Sequence, residues 1–220
     1  MDKFLVAPST DPAKSDEELV KYVCELQGIA DILHCDVMDG RFVGRKTINY
    51  DQIRRIRDTT TMFLDVHLMI EKPWLYVQKY AECGANLITV HYECFKENKQ
   101  LLSCFEDIRN NGCLVGLSIK PDTQISEIKE YLNEIDLCLI MSVYPGKSGQ
   151  TFIEKSYEKV NQLQQIKQEL NLNLKIEVDG GVNVENAQKL KQLGANVIVS
   201  GSYVYNADNR EEAINSLKNF

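Results

Sequence analysis

Eight short runs of β-branched and apolar residues recur along this chain with helix-patterned stretches between them, an alternation that restricts the fold more than any other property. The first four runs are FLVA 4–7, DILHCDV 31–37, MFLDVHL 62–68 and NLITV 86–90. The second four are CLVGLSI 113–119, LCLIMSV 137–143, LKIEVDG 174–180 and NVIVSG 196–201. Between them apolar residues fall at helical spacing: Leu101, Phe105 and Ile108; Ile125, Ile128, Leu132 and Ile135; Val160, Leu163, Ile166 and Leu170. Eight such alternations in 220 residues predict an α/β fold, the (β/α)8 TIM barrel with its parallel eight-stranded barrel, ahead of a doubly wound open sheet. No low-complexity tract or Pro/Gly/Ser-rich linker interrupts the pattern, so one barrel domain over residues 1–220 is expected.

An internal echo supports the barrel. Cys83-Gly84-Ala85-Asn86-Leu87-Ile88-Thr89-Val90 resembles Leu193-Gly194-Ala195-Asn196-Val197-Ile198-Val199-Ser200, half the chain further on. In both copies a glycine suited to closing a helix leads into an apolar run, as strands four and eight of a two-half barrel would.

A formal charge of −7 argues against a partner with a phosphate backbone, so no nucleic acid is expected, and any anionic ligand must be held by local groups. The seven cysteines are odd in number and form no CxxC pair, which suits free thiols in a reducing compartment. The opening MDKFLVAPSTDP is too weakly apolar for a signal sequence, and no stretch approaches the length of a membrane span. A cytoplasmic protein without membrane contact is the expectation.

Chemistry concentrates where strands hand over to loops. In His34-Cys35-Asp36, Asp65-Val66-His67 and Glu177-Val178-Asp179-Gly180-Gly181, residues two apart share a strand face, so each cassette turns two imidazole or carboxylate groups the same way. Two histidines with two carboxylates suit one divalent ion, Zn, Fe, Mn or Co, with room for a substrate oxygen. His34 and His67, each with a carboxylate on its own face, are the favoured ligands, while His91 is assigned to structure or to support. Asp65 and Glu177 should lie about one layer deeper, either supporting a metal-bound histidine or serving as buried hydrogen-bonded carboxylates. Pro145-Gly146-Lys147-Ser148-Gly149-Gln150, Gly180-Gly181 and Gly201-Ser202 follow three consecutive strands, and glycine loops there let backbone N–H groups converge on a phosphate. Met38, Met69 and Met141 fall at strand ends, where a thioether can cover a sugar without adding polar competition, although for Met141 alone core packing is the preferred reading.

These residues in this order resemble the ribulose-phosphate 3-epimerase family nearly end to end. The matching stretches are Ala7-Pro8-Ser9, His34 to Val43, Asp65 to Met69, Pro145-Gly146, Gly149 to Phe152, Glu177 to Gly181 and Gly201-Ser202. The resemblance implies a barrel, often a homo-oligomer, that inverts C3 of a phosphoketose with one divalent metal ion. Carried over by motif, His34, Asp36, His67 and Asp179 are the metal ligands, and Asp36 and Asp179 also the acid/base pair. Ser9 and His67 resemble substrate contacts. The loops with Gly146, Lys147, Ser148, Gly149, Gly180, Gly181, Gly201 and Ser202 resemble the phosphate site, and Met38, Met69 and Met141 the methionine cap. The chain departs from the family pattern at Arg41 to Arg45, at Thr10 to Lys14 and at Tyr144 to Ser148, all at the edges of the substrate. Ribulose 5-phosphate is therefore the expected sugar phosphate and a 6-phosphoketohexose such as allulose 6-phosphate the alternative. A phosphate-barrel decarboxylase should carry an Asp-x-Lys-x-x-Asp run, which is absent, and a non-catalytic sugar-phosphate sensor need not keep two bases with a full ligand set.

Overall fold

In the computed structural model, which describes residues 3–147 and 149–219, the eight expected strands form with bounds moved by one or two residues. They are β1 (Leu5–Pro8), β2 (Ile32–Met38), β3 (Phe63–Met69), β4 (Leu87–His91), β5 (Leu114–Ile119), β6 (Leu137–Met141), β7 (Lys175–Asp179) and β8 (Val197–Ser200). All pairings are parallel, in the order β1-β8-β7-β6-β5-β4-β3-β2. The ring closes between β1 and β2, where Ser9 bridges His34 and the Thr10 N–H donates to the His34 carbonyl at 2.9 Å. This is the (β/α)8 barrel.

The connections are α1 (Asp16–Leu26), α2 (Tyr50–Thr59), α3 (Val77–Glu82), α4 (Asn98–Asn110) and α5 (Ile125–Ile128), then α6 (Lys155–Glu169), α7 (Val184–Gln192), α8 (Ser202–Tyr205) and α9 (Arg210–Lys218). Side-chain caps start several of them: Ser15 accepts from Glu18 N, Asn49 from Asp51 N and Asn183 from Asn186 N, each worth about 1 kcal/mol. Two expectations need correction. The apolar series Ile125 to Ile135 is one turn of α-helix followed by a 3-10 turn, Lys129–Glu134, because spacing near three suits the tighter helix as well. Leu170 is 51% exposed rather than packed, since it caps α6 just before Asn171 turns left-handed at φ 50°.

The apolar core is the annulus between sheet and helices. Outward-facing strand residues such as Val6, Leu33, Cys35, Val66, Ile88, Val115 and Ile140 join helix residues Leu19, Ile53, Phe105 and Leu163 in one cluster. Inside the barrel, Leu87, Leu137 and Leu139 and, separately, Ala7, Val197 and Val199 form two small apolar clusters, but beside them runs a polar series: His34, Asp36, Asp65, His67, Thr89, His91, Ser118 and Glu177 are all buried. A barrel lumen is ordinarily filled with branched apolar chains, so this polarity marks where the fold gives up packing for chemistry. Gly116 on β5 makes room for it, because a Cβ there would lie 2.1 Å from Thr89 Oγ1.

The lower rim is stitched by the residue preceding each of three even-numbered strands. Asn86 Oδ1 accepts from Leu64 N, Asp136 Oδ2 from Val115 N and Asn196 Oδ1 from Ile176 N, each at 2.8 Å. Asn86 and Asn196 are the asparagines of the internal echo, and the glycines before them, Gly84 and Gly194, sit at φ 100° and 103°. The repeated motif thus does one structural job twice.

Candidate active site

At the upper rim, β2 and β3 lie in register with His34 opposite Asp65 and Asp36 opposite His67. His34 Nε2 and His67 Nδ1 are 3.3 Å apart, and each lies 3.4 Å from Asp36 Oδ1. Asp179, the last residue of β7, completes a group whose ligand atoms all lie within 4.8 Å of one another. Below it, His34 Nδ1 meets Asp65 Oδ2 at 2.5 Å, with Glu177 Oε1 at 3.8 Å. Asp65 lies one layer beneath His67 on its own strand, as parity predicts, and the shear between strands, which parity along one strand does not contain, sets it level with His34. On the far side, His67 Nε2 meets His91 Nε2 at 2.9 Å, and His91 Nδ1 lies 3.1 Å from Glu93 Oε2.

A cleft opens directly above. Ser9, Asp36, Asp179 and the three methionines form its floor and walls, and Ser9 Oγ donates to Asp36 Oδ2 at 2.5 Å. Gly146, Lys147 and Gly149 border it on one side, and Gly180, Gly181, Gly201 and Ser202 on another. Ser148 lies outside the described residues. His34 and His67 have no exposed surface and sit beneath the floor. The two loops are packed tightly: at Gly181, φ 65°, a Cβ would meet Phe152 N at 2.6 Å and Gln150 O at 2.7 Å. Gln150 in turn donates from Nε2 to the carbonyls of Tyr144 and Lys147.

Some lining residues escaped the sequence reading. Asp11 borders the cleft and pairs with Arg45 at 2.6 Å, two of the positions where the chain departs from the family pattern. The available signal was parity, since Asp11 follows Ser9 by two.

The electrostatics divide the acids. Burial disfavours charge on Asp36, yet His34 and His67 beside it hold its carboxyl well below the usual range. Burial and then the Asp36 charge push Asp179 up to about 7. Burial and the neighbouring Asp65 raise Glu177 as well. His34 is raised well above the usual imidazole value, burial being outweighed by Asp65 and Asp36, whereas burial lowers His67 and takes His91 down to about 4.

Two imidazoles and two carboxylates, in a lumen where buried acids outnumber bases, fit a divalent cation of borderline softness. The lower group of His34, Asp65 and Glu177 fits less well, because its His34 nitrogen is already engaged by Asp65 and only the upper group opens to the cleft.

A pH signature follows. Above about 6.5, the ordinary imidazole value, the unfolded chain has released protons that folded His34, Glu177 and Asp179 retain. Stability of chelated protein therefore falls as pH rises from there, until each folded value is passed, about 7 for Asp179. His67 and His91, both lowered, are neutral in both states over that window and add nothing. Melting curves should show the midpoint dropping by roughly 2–5 °C per pH unit for each proton that the folded state retains. Saturating divalent metal should remove that drop, and an identical pH slope with and without metal would refute the shared site.

Comparison with known proteins gives the lineage. Residues 5–205 match the model of the Ribulose-phosphate 3 epimerase family. Ribulose-phosphate 3-epimerase of Synechocystis sp. is 42% identical over 219 residues, covering 98% of this chain and 94% of that one. The Aquifex aeolicus enzyme of the same name is 40% identical over 193 residues, covering 88% and 86%. Among solved structures, KGPDC from Streptococcus mutans superposes with a TM-score of 0.73 at 10% identity, over 98% of this chain and 96% of that one. Orotidine 5'-phosphate decarboxylase from Pyrococcus horikoshii gives 0.68 at 16%, over 97% of each. Those two likenesses are of fold alone. The family match and the identity to curated relatives are of another order, and on them the chain belongs to the ribulose-phosphate 3-epimerase family, carbohydrate epimerases of the isomerase class.

Proposed function

We propose that the protein is a metal-dependent 3-epimerase interconverting D-ribulose 5-phosphate and D-xylulose 5-phosphate, with Asp36 and Asp179 as its two acid/base groups. The observation that carries this reading is the convergence of Asp36 and Asp179, from β2 and β7, with two imidazoles at the floor of a cleft rimmed by glycine loops. His34, Asp36, His67 and Asp179 would hold one divalent ion. Bound there, the ion would polarise the substrate's C2 carbonyl and C3 hydroxyl and spread the negative charge that develops between them.

The proton chemistry belongs to the carboxylates. Asp36, held ionised by its histidine neighbours, is built to accept a proton, while Asp179, raised to about 7, is built to donate one. One removes the C3 proton, leaving a planar enediolate, and the other delivers a proton to the opposite face, which inverts the centre. In the reverse direction the roles exchange. Ser9 donates to Asp36 and fixes the orientation of that base. Met38 and Met69 pack with Val43 as a small apolar group above the site, and with Met141 they would cover the sugar and exclude water.

The phosphate would lie against the backbone N–H groups of the Gly146 to Gly149, Gly180-Gly181 and Gly201-Ser202 loops, with Lys147 adding charge. Because phosphate is remote from C3, that contact is shared by ground and transition states. Lys147→Ala is expected to raise KM several-fold, to spare kcat, and to weaken the salt dependence of kcat/KM, as steady-state kinetics over a salt series would record. Unchanged KM and salt dependence would leave the phosphate to the glycine backbone.

In this reading residues 1–220 act as one domain in a homo-oligomer, which light scattering of the native protein would measure. Seven free cysteines suit a reducing, cytoplasmic setting, and among the described residues no helix is long and apolar enough to cross a membrane. The deciding experiment offers ribulose 5-phosphate, xylulose 5-phosphate and allulose 6-phosphate to the metal-replete protein in deuterated water. Deuterium should enter C3 of the pentoses. Exchange only in the hexose, or in none, would overturn the assignment.

A further inference from the structure

His91 and Glu93 lie outside the cleft, yet they are joined to the buried end of the site by an unbroken series of short polar contacts. Glu93 sits in the 3-10 turn Tyr92–Cys94 that follows β4. Its Oε1 accepts from the Lys120 N–H at 2.6 Å and from Thr123 Oγ1 at 2.5 Å. That segment is itself held in place, because the Lys159 ammonium donates to the carbonyls of Lys120, Pro121 and Thr123. A backbone N–H cannot reverse its role, so the face of Glu93 turned to Lys120 must be an acceptor. The other oxygen lies 3.1 Å from His91 Nδ1.

Proton positions then follow one from another. A carboxylate only accepts, so His91 Nδ1 carries the hydrogen. Charging a ring with no exposed surface is costly, so His91 carries that one hydrogen and its Nε2 is a bare lone pair, 2.9 Å from His67 Nε2. One of those two nitrogens must donate, and only His67 can. His67 Nδ1 is then bare as well, and it is the atom facing Asp36 Oδ1 and His34 Nε2. Across the lumen Asp65 accepts from His34 Nδ1 in the same way, so Nε2 is the His34 nitrogen that would give up its proton to a cation.

We propose that His91 and Glu93 are positioning residues that fix the tautomer of His67, so that its Nδ1 presents a lone pair to the centre of the site. The proposal rests on the metal reading above for its purpose, though the tautomer itself does not require the ion. The plain alternative is that the pair merely ties β4 to the loop after β5.

Glu93→Gln separates the two. The variant has the same shape, and its amide oxygen is compelled to face the Lys120 N–H and Thr123 O–H. The NH2 group is then left facing His91 Nδ1, and the polarity of the whole series reverses. His91 becomes Nε2–H, His67 must accept there, and its proton moves to Nδ1, where a cation would bind. Imidazole ¹⁵N NMR of chelated protein should find Nε2–H on His67 and Nδ1–H on His91 in the wild type, and the opposite in Glu93→Gln. Competition against a chelator should show Zn²⁺ affinity roughly 10- to 100-fold weaker in the variant, the range for loss of a group that orients a metal-bound histidine. Glu93→Asp, which keeps the carboxylate, should retain wild-type tautomers.

An Nδ1–H His67 or a doubly protonated His91 in the wild type would overturn the proposal even if the variant did not fold. So would a Glu93→Gln protein with wild-type Zn²⁺ affinity, whatever its melting temperature. Wild-type protein that takes up no Zn²⁺ would instead overturn the metal reading, and the NMR would still decide the tautomer.

Discussion

Asp36→Asn and Asp179→Asn should each lower net epimerisation by at least about 10²-fold, because general acid/base assistance from one group is worth roughly 10²- to 10⁴-fold. Asparagine keeps the shape of the side chain and can still receive the Ser9 hydroxyl at position 36, so the loss is chemical rather than a collapse of the cleft. The two variants should also be distinguishable. With one base gone, the other can still take up and return a proton on its own face, so C3 of one epimer exchanges with deuterated water while its configuration is kept. The epimer that exchanges should differ between the variants, since β2 and β7 approach the cleft from different sides. Near-wild-type turnover in either variant would exclude two bases acting on opposite faces.

The second large effect concerns the metal. Wild-type protein loaded with divalent ion and desalted should retain about one equivalent per chain by elemental analysis, and His34→Ala/His67→Ala should retain none. Both imidazoles face Asp36 Oδ1 at 3.4 Å, so their removal takes two of four donors from one centre. It also leaves Asp36, Asp65, Glu177 and Asp179 facing one another without the base that lowers their repulsion. The double variant should therefore be less stable than chelated wild type, and circular dichroism must accompany the metal measurement. Stoichiometric binding that persists in the folded double variant would place the ion elsewhere.

The parts of this site that were legible in the sequence are those governed by a single strand. A period of two dictates that His34 shares a face with Asp36, and Asp65 with His67, and the register of β2 with β3 keeps both pairs inward. What lay between strands was not legible. The level of Asp65 against His34 depends on shear, and the contact between His67 and His91 depends on how β4 sits beside β3. His91 and Glu93 carry the same two-residue spacing as the other cassettes, but their partners Lys120 and Thr123 come from the loop after β5, which no local pattern indicates. The helix expected over Ile125 to Ile135 failed for a related reason: apolar spacing near three is common to both helix types, and the length of the connection decides between them. Fold by itself would have misled about chemistry, since a decarboxylase shares it. The residues at the strand ends made the distinction.

The internal echo of β4 and β8 has an implication for how labour is divided along the chain. The rim devices at Asn86 and Asn196 treat the two halves as equivalents, but the upper ends do not. The first half supplies both imidazoles and Asp36, while the second supplies Asp179 and all three glycine loops. Under the proposed function, neither half could grip a sugar phosphate and invert it by itself. On that proposal, the seam between β1 and β8, where Ser9 N–H meets the Ser200 carbonyl at 3.1 Å, is also where a grip on the phosphate is joined to a grip on the carbon. On the proposed mechanism, turnover then reports the joining of the two halves, silent in any species whose halves have formed but not met.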